Sequence, residues 1–319
     1  MVSLDNQLVI GVDFGGTNIK GALVNDQGKI IYKVETATLA NSGPEAVAGR
    51  IGQMINKLEA FAEAGGQRAV GIGIGIPGQT DQNKGEVVFA PNLHWRHVPL
   101  LKYLGQVTSL PILMENDANA AALGEQWCGA GRGSVNMVMI TIGTGIGGGL
   151  IINGSLYQGS NGCAGELGHT VIDPKGFLCS CGRRGCLETL TSATAMIRMA
   201  KEAIDQGRIT DLVKPENIDA KDIVMAARAG DEVALEIINF VADYLGMSIG
   251  NLINVLNPDT VVVGGGVSKA GEILFEPLRR SIMKWSLEAP ASNVKIIPAE
   301  LGNDAGFIGA ACLILQKMC

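Results

Sequence analysis

Two segments of this chain share a pattern in which a glycine turn joins two apolar runs. The first is LVIGVDFGGTNIKGALV at residues 8–24, and the second is NMVMITIGTGIGGGLIING at residues 136–154. Short apolar runs that are rich in Val and Ile and bounded by glycines are typical of buried β-strands, so each segment predicts a hairpin. One hairpin lies in each half of the chain, and this placement predicts a duplicated architecture.

Strand and helix patterns alternate over much of the rest of the chain. AVGIGIGIP at residues 69–77 and PILMEN at residues 111–116 predict strands. Between Pro44 and Gly65, apolar side chains recur at helical spacing, and a proline at the first position favours a helix start. The pattern predicts an α/β fold.

The length of the chain points to more than one domain. A chain of 319 residues is about twice the length of a typical single-core domain, so we expect two α/β domains. We assign residues 1–118 plus 304–319 to a small N-terminal domain and residues 119–303 to a large domain, which carries a cysteine-rich loop.

Composition and charge narrow the range of partners. Hydrophobic residues make up 47% of the chain and charged residues 18%, which excludes a disordered protein. The net charge of −6 opposes a nucleic-acid or anionic-membrane surface, because either requires a basic face. The first residues lack a secretory signal, and polar residues and glycines interrupt the longest apolar window, residues 135–152. We therefore expect a cytoplasmic protein that binds a small molecule, with no nucleic acid and no membrane.

The first glycine turn is a candidate anion site. DFGGTNIKG brings together Asp13, Gly15, Gly16, Thr17, Asn18 and Lys20. Glycine lets the backbone approach phosphate oxygens, and N–H groups and a hydroxyl can then surround the anion. In this interpretation Asp13 lies near a phosphate-bound Mg²⁺. The alternative is an ordinary Gly-Gly hairpin turn with an acidic neighbour.

Two further glycine turns extend this interpretation. They are Gly143, Thr144 and Gly145 in the second hairpin, and Gly264, Gly265 and Gly266 after the apolar run TVVV. Gly143, Gly145 and Gly148 satisfy G-x-G-x-x-G, but a strand rather than a helix follows them, so this is no dinucleotide fingerprint. Three glycine turns after buried strands favour a nucleotide cleft between two similar domains.

Asn116 and Asp117 lie at the junction of a predicted strand and an Ala-rich helix, in ENDANAAALGE. One interpretation is that either residue simply caps the helix, a role that both residue types fill well. The other is that Asp117 faces a cleft and accepts a proton from a substrate hydroxyl. The two roles are compatible, because the residues are neighbours.

A cysteine-rich segment carries the most specific signal. His169, Cys179, Cys181 and Cys186 offer one imidazole and three thiols within eighteen residues, the ligand set of a tetrahedral Zn²⁺ site. Four protein ligands leave no position for water, so the ion would be structural. A disulfide is the alternative, but Cys179 and Cys181 are too close to pair comfortably, and a third thiol would remain.

Two carboxylates flank the predicted metal loop. Glu166 lies three residues before His169, and Glu188 lies two residues after Cys186. Fixed carboxylates beside an imidazole form a polar edge that suits the hydroxyl groups of a polyol. The alternative for each glutamate is a solvated surface charge.

Taken together, four segments resemble one family. DFGGTNIKG, ENDANAAALGE, TIGTGIGGGLIINGSLYQGSNGCAGELGH and CSCGRRGCLE are similar to segments of the ROK family of bacterial sugar kinases and repressors, most closely its glucokinase branch. The resemblance implies an actin-like, ribonuclease-H-like two-domain sugar kinase fold with an interdomain cleft. It also implies ATP, Mg²⁺ and structural Zn²⁺, and transfer of phosphate to the 6-hydroxyl of glucose.

The resemblance also implies roles for individual residues. Asp117 is implied to be the catalytic base, and the implied sugar contacts are Gly78, Asn92, Asn116, Asp117, Glu166, His169 and Glu188. The implied nucleotide contacts are Asp13, Gly15, Gly16, Thr17, Asn18, Lys20, Gly143, Thr144, Gly145, Gly264, Gly265 and Gly266. His169 is implied to contact the ion with one ring nitrogen and the sugar with the other.

Other functions share these motifs. A ROK kinase for N-acetylmannosamine, N-acetylglucosamine, allose or fructose would carry the same segments. A sugar-sensing ROK regulator would need a helix-turn-helix domain before DFGGT, where only a dozen residues precede Asp13. A heat-shock-type ATPase would have no use for a polyol-binding edge. Family members are commonly dimers or tetramers, so we expect a homodimer or homotetramer.

Overall fold

The computed structural model describes residues 7–212 and 218–318. Within these residues the strands are β1 (Leu8–Phe14), β2 (Asn18–Asn25), β3 (Ile30–Ala37), β4 (Ala69–Ile76), β5 (Gln79–Asp81), β6 (Glu86–Ala90), β7 (Trp95–Val98), β8 (Ile112–Asn116), β9 (Met137–Ile142), β10 (Ile146–Ile152), β11 (Ser155–Leu156), β12 (Thr260–Gly264) and β13 (Lys295–Pro298). They form two five-stranded sheets and one three-stranded sheet.

The two large sheets have the same topology. The strand order is β3-β2-β1-β4-β8 in the first sheet and β11-β10-β9-β12-β13 in the second. In each sheet three consecutive strands form an antiparallel meander, and two further strands run parallel to the first strand of that meander. The repeated order confirms the predicted duplication. In each predicted hairpin, the glycine turn joins the first two strands of its sheet.

The helices lie beside these sheets. They are α1 (Pro44–Ala64), α2 (Leu100–Leu104), α3 (Asp117–Cys128), α4 (Leu187–Thr191), α5 (Ala193–Asp205), α6 (Ala220–Arg228), α7 (Glu232–Leu256), α8 (Glu272–Trp285), α9 (Glu288–Ala291) and α10 (Ala305–Met318). Helices α1 and α2 share a core with the first sheet, and α5 to α8 share a core with the second. Helix α1 begins at Pro44, as predicted, and buries Val47, Ile51 and Leu58 against the first sheet.

Helices α3 and α10 lie where the two large sheets approach each other. A Cβ atom on Gly11 would lie 1.9 Å from the carbonyl oxygen of Phe307, and one on Gly73 would lie 1.7 Å from that of Ala310. Helix α10 therefore packs its backbone directly on β1 and β4. Helix α3 packs on α10 and on β10, and residues of α3, α10, β9 and β12 share one small core. The predicted division of the chain into two domains at residues 118 and 304 stays a prediction.

One helix among the described residues, α7, is long and apolar enough to cross a membrane. Its most apolar window is 61% buried inside the fold. It packs against α8 and α6 in the core of the second sheet, which is where a core helix of this composition lies.

The three-stranded sheet β5-β6-β7 was not evident from the sequence. Its strands are three to five residues long and follow β4 directly. A short 3-10 turn at Pro91–Leu93 joins β6 to β7 and carries Asn92. This small sheet therefore holds a predicted substrate contact beside the first large sheet.

Candidate active site

Asn116 and Asp117 lie where β8 ends and α3 begins. The side-chain oxygen of Asn116 accepts hydrogen bonds from the N–H groups of Ala118 and Asn119, at 2.9 and 3.1 Å, so Asn116 caps the helix. The amide of Asn116 donates to the carbonyl oxygen of Gly78 at 3.2 Å. The cap interpretation is therefore right for Asn116, while Asp117 occupies the first helical position.

Asp117 lies in a strongly acidic environment. Burial, followed by the charge of Asp13 and then that of Glu166, raises the pKa of Asp117 to about 7, although the N–H of Ala118 acts in the opposite direction. Burial also raises the pKa of Asp13, which the charge of Lys20 partly offsets. A carboxylate whose pKa lies near neutral pH is suited to accept a proton during catalysis.

Strand register explains why the two aspartates are close. Asp13 pairs with Gly75 between β1 and β4, and Gly75 pairs with Glu115 between β4 and β8. A Cβ atom on Gly75 would lie 3.6 Å from the Cα atom of Asp117. The absence of a side chain at Gly75 therefore leaves space between the first hairpin and the start of α3.

The first hairpin exposes unpaired N–H groups. The N–H of Gly15 donates to the carbonyl oxygen of Asn18 at 3.0 Å and closes the turn. Over the described part of the chain, no hydrogen bond uses the N–H groups of Gly16 and Thr17, and both residues are exposed. These donors are available for an anion.

Asn92 lies next to this hairpin, and Lys20 is part of its second strand. A Cβ atom on Gly16 would lie 3.8 Å from the Cβ atom of Asn92, which is exposed. Lys20 lies in β2 opposite Asp13 and lines a cavity of about 390 Å³ together with Lys33. The hairpin thus has a predicted sugar contact next to it and two lysines nearby.

The second hairpin repeats this arrangement in the second sheet. The N–H of Gly143 donates to the carbonyl oxygen of Gly145 at 2.9 Å, and the N–H groups of Thr144 and Gly145 make no hydrogen bond with any described residue. The third glycine turn lies beside it, because a Cβ atom on Gly265 would lie 2.3 Å from the carbonyl oxygen of Ile142. Gly265 also has a φ of 86°, which favours glycine.

The structure brings the four predicted metal ligands together. A ring nitrogen of His169 and the Sγ atoms of Cys179, Cys181 and Cys186 all lie within 4.8 Å of one another. Cys181 and Cys186 have their Sγ atoms 3.6 Å apart, as do Cys179 Sγ and His169 Nδ1. Tetrahedral Zn²⁺ with bonds of about 2.0–2.3 Å separates its ligands by about 3.5–3.8 Å, so the donor set fits the ion. A disulfide, with sulfur atoms about 2.05 Å apart, does not fit this geometry.

The two flanking glutamates make different contacts. Glu188, in the first turn of α4, accepts the N–H of Ile146 at 3.1 Å and lies 3.9 Å from Cys179 Sγ. Glu166 is exposed and precedes the 3-10 turn that carries His169, whose N–H donates to the Glu166 carbonyl oxygen at 3.1 Å. Glu188 therefore contacts the second hairpin, and the charge of Glu166 acts on Asp117.

A buried polar network behind Asp117 was missed in the sequence. Glu115 is 2% exposed and accepts hydrogen bonds from the side chains of Asn119, at 3.0 Å, and of Gln158. The Gln158 carbonyl oxygen accepts the N–H of Ala164 at 3.1 Å and closes the loop before Glu166. The network thus ties β8 to the loop that leads to Glu166. The only signal was an acidic residue inside the apolar strand ILMEN.

A family model and several known proteins match this chain. A model of the ROK family matches residues 9–317. A glucokinase of Halalkalibacterium halodurans is 41% identical over 319 residues, covering 98% of this chain and 97% of that protein. A glucokinase of Thermotoga maritima is 42% identical over 315 residues, covering 97% and 98% of the two chains. The crystal structure of a ROK family glucokinase from Streptomyces griseus in complex with glucose and AMPPNP aligns with a TM-score of 0.82 at 37% identity, covering 97% of this chain and 99% of that one.

Proposed function

We propose that this chain, which belongs to the ROK family, is an ATP-dependent hexokinase that phosphorylates the 6-hydroxyl of glucose. The fold is the actin-like two-domain sugar kinase fold that the resemblance implied. The observation that carries the proposal is the position of Asp117, a half-buried carboxylate with a pKa of about 7 beside Asp13 of the first hairpin.

Asp117 is the proposed catalytic base. Its carboxylate accepts the proton of the sugar 6-hydroxyl as the oxygen attacks the terminal phosphate of ATP. A base is most effective when its pKa lies near the working pH, and the environment of Asp117 supports that match. Phosphoryl transfer otherwise requires mainly alignment and charge compensation.

The glycine turns are proposed to hold the nucleotide. The unpaired N–H groups of Gly16, Thr17, Thr144 and Gly145 are suited to donate to phosphate oxygens from the two hairpins. The third turn, at residues 264–266, is proposed to lie against the adenosine. Asp13 and Lys20 are proposed phosphate-side contacts, and Mg²⁺ held near Asp13 would supply positive charge to the phosphate oxygens.

A second group of residues is proposed to bind the sugar hydroxyls. Gly78, Asn92, Asn116, Glu166, His169 and Glu188 are the proposed contacts. The bond between Asn116 and Gly78 supports the pairing of two of them. Nδ1 of His169 faces the thiols, which leaves Nε2 for a sugar hydroxyl.

We also propose that His169, Cys179, Cys181 and Cys186 hold a structural Zn²⁺ ion. The ligand spacing in the fold supports this, since the four donor atoms lie within 4.8 Å of one another. Bound zinc would supply rigidity to the loop that carries His169 and to the start of α4, where Glu188 lies. Four protein ligands leave it no catalytic water.

A coupled ADP-release assay over hexoses and N-acetylhexosamines tests this function. We expect the highest kcat/KM with glucose and dependence on both ATP and Mg²⁺. A clear preference for an N-acetylhexosamine, allose or fructose would show that the protein is a sugar kinase with a substrate other than glucose. Sugar binding without turnover would instead support a regulator.

We further propose a cytoplasmic homodimer or homotetramer with no nucleic-acid or membrane partner. The net charge of −6 and the burial of α7 support this setting. Light scattering after gel filtration of the full chain tests the assembly, since a monomer at micromolar concentration would contradict it.

A further inference from the structure

Thr38 makes two hydrogen bonds to the first glycine hairpin. It follows β3 and has no exposed surface. Its hydroxyl donates to the carbonyl oxygen of Gly15 at 2.6 Å, and its N–H donates to the carbonyl oxygen of Thr17 at 2.8 Å. Both bonds go to carbonyl groups of the turn, and neither uses the N–H groups of Gly16 and Thr17.

The second hairpin is held in the same way by the start of α5. The hydroxyl of Thr194 donates to the carbonyl oxygen of Thr144 at 2.8 Å. The N–H of Ala193 donates to the carbonyl oxygen of Gly143 at 2.9 Å. In each hairpin, one threonine hydroxyl and one backbone N–H from a neighbouring element fix two carbonyl groups.

Peptide geometry converts these bonds into a constraint on the N–H groups. The carbonyl of one residue and the N–H of the next belong to one planar trans unit and point in opposite directions. Fixing the Gly15 carbonyl therefore directs the N–H of Gly16, and fixing the Thr144 carbonyl directs the N–H of Gly145. These two N–H groups make no hydrogen bond with any residue that the structure describes.

We propose that Thr38 and Thr194 are a matched pair of positioning residues, which hold the peptide planes of the two glycine hairpins so that their N–H groups face the phosphates of the nucleotide. The proposal rests on the proposed function. Glycine-rich turns need such a restraint because a peptide unit flanked by glycine rotates easily. A rotated unit presents its carbonyl oxygen, which repels a phosphate.

Four variants and one control test the pair. Thr38→Val and Thr194→Val keep the side-chain shape and remove the hydroxyl, whereas Thr38→Ser and Thr194→Ser keep the hydroxyl. Thr260→Val is the control. Thr260 is 4% exposed and its hydroxyl is hydrogen-bonded to Ser134 and Asp259, at the end of β12 that lies away from the glycine turn at residues 264–266. KM for ATP, Kd for AMPPNP, Kd for glucose and Tm are measured for each.

We expect Thr38→Val to raise KM for ATP and Kd for AMPPNP about tenfold, and Thr194→Val, whose side chain is exposed, about threefold. Kd for glucose should change by less than about twofold, and the serine variants should restore nucleotide affinity, because they keep the donor. Thr260→Val should lower Tm without changing KM for ATP. This combination separates positioning from a general loss of stability.

Two results would overturn the pairing. One is a KM for ATP in both valine variants that equals that of Thr260→Val, and the other is a Kd for glucose that rises as much as KM for ATP. If Thr38→Val does not fold, Thr194→Val and Thr194→Ser decide the question. Wild-type protein that binds no AMPPNP would refute the proposed function and the pairing together, whereas normal binding by every variant would refute the pairing alone.

Discussion

The carboxylate of Glu188 accepts the backbone N–H of Ile146 at 3.1 Å, and a Cβ atom on the preceding residue, Gly145, would lie 2.3 Å from the same carboxylate oxygen. One side chain therefore joins the second hairpin to the metal cluster, since Glu188 also lies 3.9 Å from Cys179 Sγ. In the proposed function, this contact links a nucleotide-binding loop directly to the residues that bind the sugar.

Gly145→Ala should displace Glu188 and weaken sugar binding. The added methyl group occupies the space of the carboxylate, so we expect KM for glucose to rise about tenfold or more. Gly143→Ala is the matched control for the sugar effect, because its Cβ atom would meet nothing within 4 Å. Steady-state kinetics with glucose as the varied substrate compare the two, and equal KM values for glucose would contradict the contact.

Asp117→Asn should separate binding from turnover. The amide keeps the size of the side chain and cannot accept the hydroxyl proton, so kcat should fall by a factor of about 10² to 10⁴. Kd for glucose, measured by calorimetry, should stay within a few-fold of the wild-type value. Comparable losses in both quantities would show that Asp117 acts in binding and is no base.

The activity of the wild-type enzyme should fall in mild acid. As the proposed base, Asp117 can accept a proton only when it is ionised, and its pKa is raised to about 7. We therefore expect kcat/KM for glucose to decrease as the pH falls through about 7. Rates between pH 5.5 and 8.5 under saturating ATP check this, and a profile that is flat down to pH 5.5 would argue against the raised pKa.

The same group should make folding stability depend on pH. The pKa of Asp117 is raised from 3.8 to about 7, so its contribution to stability is fully present below about pH 4 and is lost as the pH rises through about 7. Asp117→Asn removes this dependence. Relative to the wild type, the variant should therefore gain stability between pH 4 and pH 8, on the order of 4 kcal/mol. Urea unfolding at several pH values measures the difference, and parallel stability curves would contradict it.

Loss of the proposed zinc ion should loosen the loop that carries its ligands and weaken the proposed sugar binding. Cys181→Ser removes one thiolate from the four-ligand cluster, so we expect less bound zinc, a lower Tm and a higher KM for glucose. Cys163→Ser is the control, because Cys163 lies outside the cluster. Metal analysis and limited proteolysis of the 160–190 segment give the readouts. Full activity in protein free of zinc would refute the structural role.

Local patterns predicted the parts of the fold that depend on local interactions. The two hairpins could be predicted because each combines Val- and Ile-rich runs with a glycine turn in one continuous segment. The metal cluster was also predictable, since Cys179, Cys181 and Cys186 lie close in sequence. Asn116 and Asp117 were placed correctly at the strand end, because an Asn before an Ala-rich segment is a typical cap.

Features that depend on distant partners could not be predicted. Glu115 binds Gln158, which lies 43 residues further along the chain, and no sequence pattern relates the two. Thr38 lies 23 residues from Gly15 and looks like any polar residue at a strand end. Strands β5 to β7 are too short for periodicity to show. In each case the information lies in the tertiary arrangement.

Helix α10 covers β1 and β4 through direct backbone contacts, although it is synthesised after every other described element. The first sheet therefore keeps a bare face on the ribosome until the last residues of this helix emerge. Folding of the amino-terminal half can begin early, but it cannot finish before translation of α10 ends. A nascent chain that stalls before residue 305 would expose the apolar face around Val9, Ala22 and Val24, and chaperones would be expected to bind it there.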